Sequence, residues 1–194
     1  FDHVEYLARA AGLEHFVRGE HVQAMKLSYG TALISRLPLS DATSVTFPPS
    51  PPTPPKGFTV ARVPWPGQGD FQVEVVSVHL DFSRASVRKR QVDELAEHLS
   101  GRKGPVVVMG DFNADWSDEE GPPRRLATRL KLRAYRPEAS DMPTFGGKKR
   151  LDWILVSSPL EMVEYKTLPD PISDHRAVVA VLKRSRGAVD PAVR

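Results

Sequence analysis

Branched apolar residues along this chain come in short runs, each closed by turn chemistry. Residues 29–38, 58–63, 71–80, 106–109, 151–157 and 177–182 read as strands bounded by Gly, Pro, Asn or Asp. Other stretches carry helical spacing. Asp2 is a candidate N-cap with Glu5 three residues on, Val4, Leu7, Ala8 and Ala11 share a face, and Gly12 is a stop. Residues 84–99 put Val92, Leu95, Ala96 and Leu99 on a buried face, with Arg88, Lys89 and Arg90 mostly outward. A shorter helix spans 124–130, with Pro122 and Pro123 near its start.

Several strands are near-continuous apolar runs, so they are expected to be covered on both faces. With few helices available, the economical fold is α/β, with two packed mixed β-sheets flanked by helices. The pattern predicts one domain over residues 1–183 and a polar, frayed tail over 184–194. Residues 47–55, Phe-Pro-Pro-Ser-Pro-Pro-Thr-Pro-Pro, read as an extended exposed loop. Presentation of that loop to an SH3-like partner is the minor alternative.

Composition changes this picture in two places. The chain has no cysteine, so disulfides and thiolate metal sites are excluded, and any metal must be held by oxygen and imidazole. The net charge of +3 is compatible with a phosphate-bearing substrate and does not require one. No apolar run is long enough to span a bilayer, so no stable membrane insertion is expected; Trp65, between Pro64 and Pro66, is the only candidate wedge. The expectation is a soluble protein, with a cytoplasmic location and a monomeric state favoured.

Polar clusters abut the apolar runs. His79 ends one strand, Asp111 and Asn113 end another, Asp152 lies inside Leu151-Asp152-Trp153-Ile154, and Asp174-His175 precedes the last. Asp111 and Asn113 are two apart, so on an extended chain their side chains leave by one face. An Asp-Asn turn closing a strand gives the same letters. An Asp in an apolar strand is costly unless paired or on a metal, and a buried salt bridge with Arg150 is the minor alternative for Asp152. Together these groups suit phosphodiester hydrolysis. A neutral imidazole can take a proton from water while a carboxylate fixes its tautomer. A hard cation on carboxylates neutralises the phosphoryl oxygens.

These residues resemble the ordered motifs of the endonuclease/exonuclease/phosphatase (DNase I-like) superfamily. Residues 29–38 resemble its glycine-to-"SRxP" strand, and Val78-His79-Leu80 with Arg88, Arg90 and Gln91 its histidine strand and following helix. Gly110-Asp111-Phe112-Asn113, Thr144-Phe145 with Arg150-Leu151-Asp152, and Ser173-Asp174-His175 resemble its remaining motifs. The resemblance implies a four-layer α/β/β/α sandwich and a Mg2+-dependent hydrolase of phosphoric esters, with Mn2+ as a substitute. It implies His175 as general base and Asp152 as the carboxylate orienting it. Asp111 would activate the nucleophile or hold a metal, Asp174 would lie in the metal site, and Asn113 and His79 would bind the scissile phosphate. Thr144 would be a lesser phosphate contact.

Family members also carry an Asn-bearing strand and a strand ending in Gln-Glu, whose Glu is the principal metal ligand. Both would precede Asp2, and Glu5, Glu14 and Glu20 are poor substitutes. The expectation is therefore a member cut after that Glu, binding Mg2+ weakly and less stable for its missing first strands. The resemblance favours a nuclease or other phosphodiesterase, with nucleic acid as a candidate partner for Lys148, Lys149 and Arg150. A sphingomyelinase-like enzyme, an inositol or nucleotide phosphatase, and a catalytically inactive binding module on the same fold are the competing readings.

Overall fold

The computed structural model describes residues 2–24, 27–170 and 173–185. In chain order the elements are α1 (His3–Ala10), β1 (His15–Ala24), β2 (Leu27–Ser35), β3 (Ser40–Thr46), β4 (Gly57–Trp65) and β5 (Gln68–His79). Then follow α2 (Ala85–Ser100), β6 (Val106–Asp111), α3 (Pro122–Leu130), β7 (Leu132–Ala134), β8 (Asp152–Ser157), β9 (Leu160–Thr167) and β10 (Val178–Arg184). The expected tail lies mostly outside the described residues.

Six strands form the main sheet in the order β3-β4-β5-β6-β8-β7. Only β5 and β6 run parallel, and α2 is the long crossover that a parallel pair needs. The apolar runs are apolar because both faces are covered. β6 sends Val106 and Val108 to one side and Val107 and Met109 to the other; β8 divides Trp153 and Leu155 from Ile154 and Val156. On the first side, Val92, Leu95 and Leu99 of α2 and Leu126 and Leu130 of α3 close the core. On the second, Leu160 and Tyr165 of β9 pack against the sheet, with Val178, Ala180 and Leu182 of β10 partly buried beside them. Burying one such side chain contributes about 1.5–3 kcal/mol, so these two clusters hold the strands while their polar ends stay available for chemistry.

The second layer comes in two pieces. β1 pairs antiparallel with β2, and β9 with β10, as separate two-stranded sheets among the described residues. The β1–β2 hairpin meets the main sheet through polar contacts: His21 bonds Thr46 (3.2 Å) and Thr31 bonds Thr59 (2.8 Å), with His21 and Thr31 bonded to each other within the hairpin (3.0 Å). α1 rests on β1 and β2. Asp2 caps it as expected, accepting from the Glu5 N–H at 3.1 Å, and Gly12 at φ +64° ends it. Its expected apolar face is not buried: Ala8 is, but Leu7 is 56% exposed.

Sequence periodicity missed β1, β3, β7 and β9. β1 is laced with charge, β3 is a polar edge strand, and β7 has only three residues, so backbone pairing defines them more than any apolar pattern does. Trp65, the candidate membrane wedge, is instead half-buried and packs edge-on against Phe71, ring centres 6.1 Å apart. Among the described residues, no helix is long and apolar enough to cross a membrane.

The proline-dense loop is not simply extended and exposed. Phe47 enters the core, and Ser50 and Thr53 are buried. Both hydroxyls donate to Oδ2 of fully buried Asp81, while Oδ1 accepts the N–H groups of Ser83 and Arg84 at 2.8 Å each. The Asp81 N–H in turn donates to Gln91 Oε1 at 2.8 Å. One carboxylate thus ties the loop, the end of β5 and the start of α2 together. Burial alone would raise the Asp81 pKa, but the bonds from Thr53, Arg84, Ser83 and Ser50 outweigh it and hold the carboxyl below its usual value.

Replacing Asp81 by Ala strands several buried donors and is expected to lower unfolding free energy by about 2–4 kcal/mol, read by urea denaturation. Because the folded-state pKa is depressed, this contribution is present above the ordinary Asp value of 3.8 and fades as the pH falls below it. A gap between wild type and variant that stays constant down to pH 2 would show that the carboxylate is not its source.

Candidate active site

Strand register assembles the site. His79 at the end of β5 lies opposite Asp111 at the end of β6, and Asp111 lies opposite Asp152 at the start of β8. Neighbouring strands are about 4.8 Å apart, so residues in register on adjacent strands bring their side chains together. Asp111 and Asp152 thus meet His79 on one rung, where the parallel β5–β6 pair fixes the alignment.

Gly110 makes this rung possible. Its φ is +144°, a conformation L side chains rarely adopt, and a Cβ there would lie 1.9 Å from the Val78 carbonyl oxygen. The strand then turns. Asn113 sits at φ +49°, its N–H donating to Asp111 Oδ1 at 2.8 Å. Asp111 and Asn113 are therefore brought together by a turn and not by an extended chain. Both Asn113 Nδ2 hydrogens are engaged, by the Leu80 carbonyl and by Asp111 Oδ2, each at 3.0 Å.

His175 joins from the segment before β10. Its Nδ1 is 2.7 Å from Asp152 Oδ2, its ring packs on Phe145, and its backbone bridges to that residue. With Nδ1–H donating to the carboxylate, Nε2 carries the lone pair. Burial alone would lower its pKa, but the hydrogen bond and charge of Asp152, helped by Asp111 and Asp174, outweigh this and raise it. Thr144 is 1% exposed and lies beneath the pair, its Oγ1 accepting from the N–H groups of Leu151 (2.9 Å) and Asp152 (3.2 Å). Asp174 is exposed. Arg150 does not pair with Asp152: its guanidinium stacks over Trp153 and Tyr165 and donates to the carbonyls of Tyr135 and Arg136. Of the basic turn, Lys148 and Lys149 alone are exposed.

Burial pushes the Asp111 carboxyl up to about 6, reinforced by the charge of Asp152 and opposed by the Asn113 N–H, His175 and Lys56. Donor atoms of Asp111, Asp152 and His175 all lie within 4.8 Å of one another, a set able to hold a cation. Two carboxylates and one imidazole fit a hard or borderline divalent ion, and Glu5, Glu14 and Glu20 take no part in the set. Asp152 and His175 also line a cavity of about 420 Å³ shared with Ser77, Met109, Ile154 and Val178.

Two further residues reach the site that sequence reasoning missed. Tyr29 of β2 bonds His79 Nδ1 through its hydroxyl at 2.9 Å. Lys56, 4% exposed, donates to the Tyr29 hydroxyl at 2.5 Å and lies 3.1 Å from His79 Nε2, which is 3.4 Å from Asp111 Oδ2. Burial, with the charges of Lys56, His175 and His21, lowers the His79 pKa to about 4, so it is neutral near pH 7. A lysine after a run of prolines gave no signal of its own; only its place at the head of β4, whose Gly57 lies opposite His79, reveals it.

Comparison with known proteins identifies the family and agrees with the fold. The model of the "Endonuclease/Exonuclease/phosphatase family" matches residues 3–175. The chain is 30% identical over 114 residues to UPF0294 protein plu0699 of Photorhabdus laumondii, covering 58% of this chain and 43% of that protein. It thus spans less than half the length of this curated relative. The fold is similar to the human Nocturnin catalytic domain with bound sulfate anion (TM-score 0.70, 19% identity, covering 95% of this chain and 77% of that one). It is also similar to the mannosyl-6-phosphatase Bt3783 of Bacteroides thetaiotaomicron (TM-score 0.69, 16% identity, covering 87% and 76%). This protein belongs to the endonuclease/exonuclease/phosphatase family.

Proposed function

We propose that this chain carries the hydrolytic centre of a divalent-metal-dependent phosphodiesterase, with a nucleic acid as the first substrate to test. The observation that supports it is the Asp152–His175 pair, at 2.7 Å, set beside Asp111 on the next strand. His175 Nε2 accepts a proton from water as the water oxygen attacks phosphorus. Asp152 keeps the imidazole in the Nδ1–H tautomer and stabilises the imidazolium that forms. The phosphorus–oxygen ester bond breaks, the departing oxygen takes a proton from solvent, and a phosphomonoester and an alcohol leave. Asp111 and Asp152 would hold a cation, Mg2+ or Mn2+, which neutralises charge on the phosphoryl oxygens. Thr144 acts through Asp152, fixing the backbone that carries it. The sulfate held by Nocturnin, a tetrahedral oxyanion like phosphate, is consistent with this reading.

Replacing His175 by Ala should cut turnover of bis(p-nitrophenyl) phosphate by about 10²–10⁴-fold while leaving the urea midpoint close to wild type. Near-normal turnover in that variant would remove His175 as the base. Since a base must be deprotonated and the His175 pKa is raised above 6.5, activity should climb with pH through an apparent pKa above that value. Asp152→Asn removes the charge that raises it, so the rising limb should move to lower pH as turnover falls; an unmoved limb would dissociate Asp152 from the base. EDTA should abolish turnover, and Mg2+ or Mn2+ should restore it. Full activity in EDTA would rule out the metal.

A further inference from the structure

Hydrogen-bond direction around His79 reassigns a role. The Lys56 ammonium can only donate, so at 3.1 Å it requires His79 Nε2 to accept. His79 then carries its proton on Nδ1, 2.9 Å from the Tyr29 hydroxyl oxygen. That oxygen takes both Nδ1–H and a Lys56 N–H, which its lone pairs allow. Neutral His79 is left with no N–H directed toward Asp111. Lys56 has three N–H groups and bonds two protein acceptors among the described residues. Its ammonium lies 4.8 Å from the Tyr29 ring centre and 5.5 Å from that of Phe82, two aromatic faces that favour the charged form. Phe82 is 59% exposed, so this cation sits behind a ring that reaches solvent.

We infer that Lys56, held by Tyr29 and His79, is the group that binds a non-bridging oxygen of the substrate phosphoryl group, with its third N–H as donor. His79 is then a positioning residue that aims the ammonium. This rests on the phosphoester reading above and extends it to substrate recognition. A buried cation next to Asp111 has a simpler use, offsetting the carboxylates of Asp111 and Asp81, and the test must separate the two.

Titration of inorganic phosphate into the full chain by calorimetry reads binding without turnover. Lys56→Met should weaken phosphate binding roughly 10- to 100-fold, and Lys56→Arg should keep most of it. An equal phosphate Kd in wild type and in folded Lys56→Met would overturn the inference, as would a wild type that binds no phosphate. Nitrogen NMR of the wild-type imidazoles needs no variant. The expected signal is an unprotonated Nε2 and a protonated Nδ1 on His79, with a shift when phosphate is added. An Nε2–H tautomer, or no response to phosphate, overturns it even if Lys56→Met fails to fold. Failure of the hydrolase reading looks different: phosphate binds and depends on Lys56, yet no phosphodiester is turned over.

Discussion

The candidate site is organised around a single rung of the main sheet. His79, Asp111 and Asp152 occupy that rung on three adjacent strands, while the rungs behind it are apolar on both faces apart from Ser77. The register that seats Val76 beside Val108 and Leu155 for packing also seats the three polar residues beside one another. A one-residue slip of β6 would send Val106 and Val108 to the wrong face and take Asp111 away from both partners. Packing and the placing of these polar groups are therefore not separate demands on these strands. Gly110 marks where they meet, since the chain can pass the Val78 carbonyl there only without a side chain.

Polar groups near this rung are expensive to bury, and each is met by a neighbour. Asp81 gathers four donors, Thr144 takes two backbone N–H groups, and Lys56 lies against a phenol and an imidazole. Such networks narrow the geometry the site can adopt. They also create a gradient of charge preference across a short distance. His79 is held neutral mainly by its burial, with the charge of Lys56 adding to it, while the hydrogen bond and charge of Asp152 outweigh burial at His175 and draw it toward its protonated form.

Much of this was legible in the residues. The apolar runs gave the central strands, and polar letters at their ends gave His79, Asp111, Asn113, Asp152 and His175, because a buried strand must stop where it becomes polar. The family resemblance supplied the order of these motifs, and the fold and family agree with it. What stayed hidden has a physical reason. β1 and β3 are strands by pairing and not by pattern. Thr144 read as a lesser phosphate contact, and its hold on the backbone N–H groups of Leu151 and Asp152 left no mark in the sequence. Lys56 was silent because its partners, Tyr29 and His79, are 27 and 23 residues distant in the chain.

The second layer's division into two hairpins has a consequence for how the site keeps its shape. Tyr29 rides on β2 and His175 on the segment leading into β10, and the two hairpins share no hydrogen-bonded ladder among the described residues. Each is gauged separately against the central sheet, one through His79 and the other through Asp152. The sheet therefore serves as a common ruler for both sides of the site. A change in the seating of either hairpin would be felt at its own contact with the sheet, Tyr29 on His79 or His175 on Asp152.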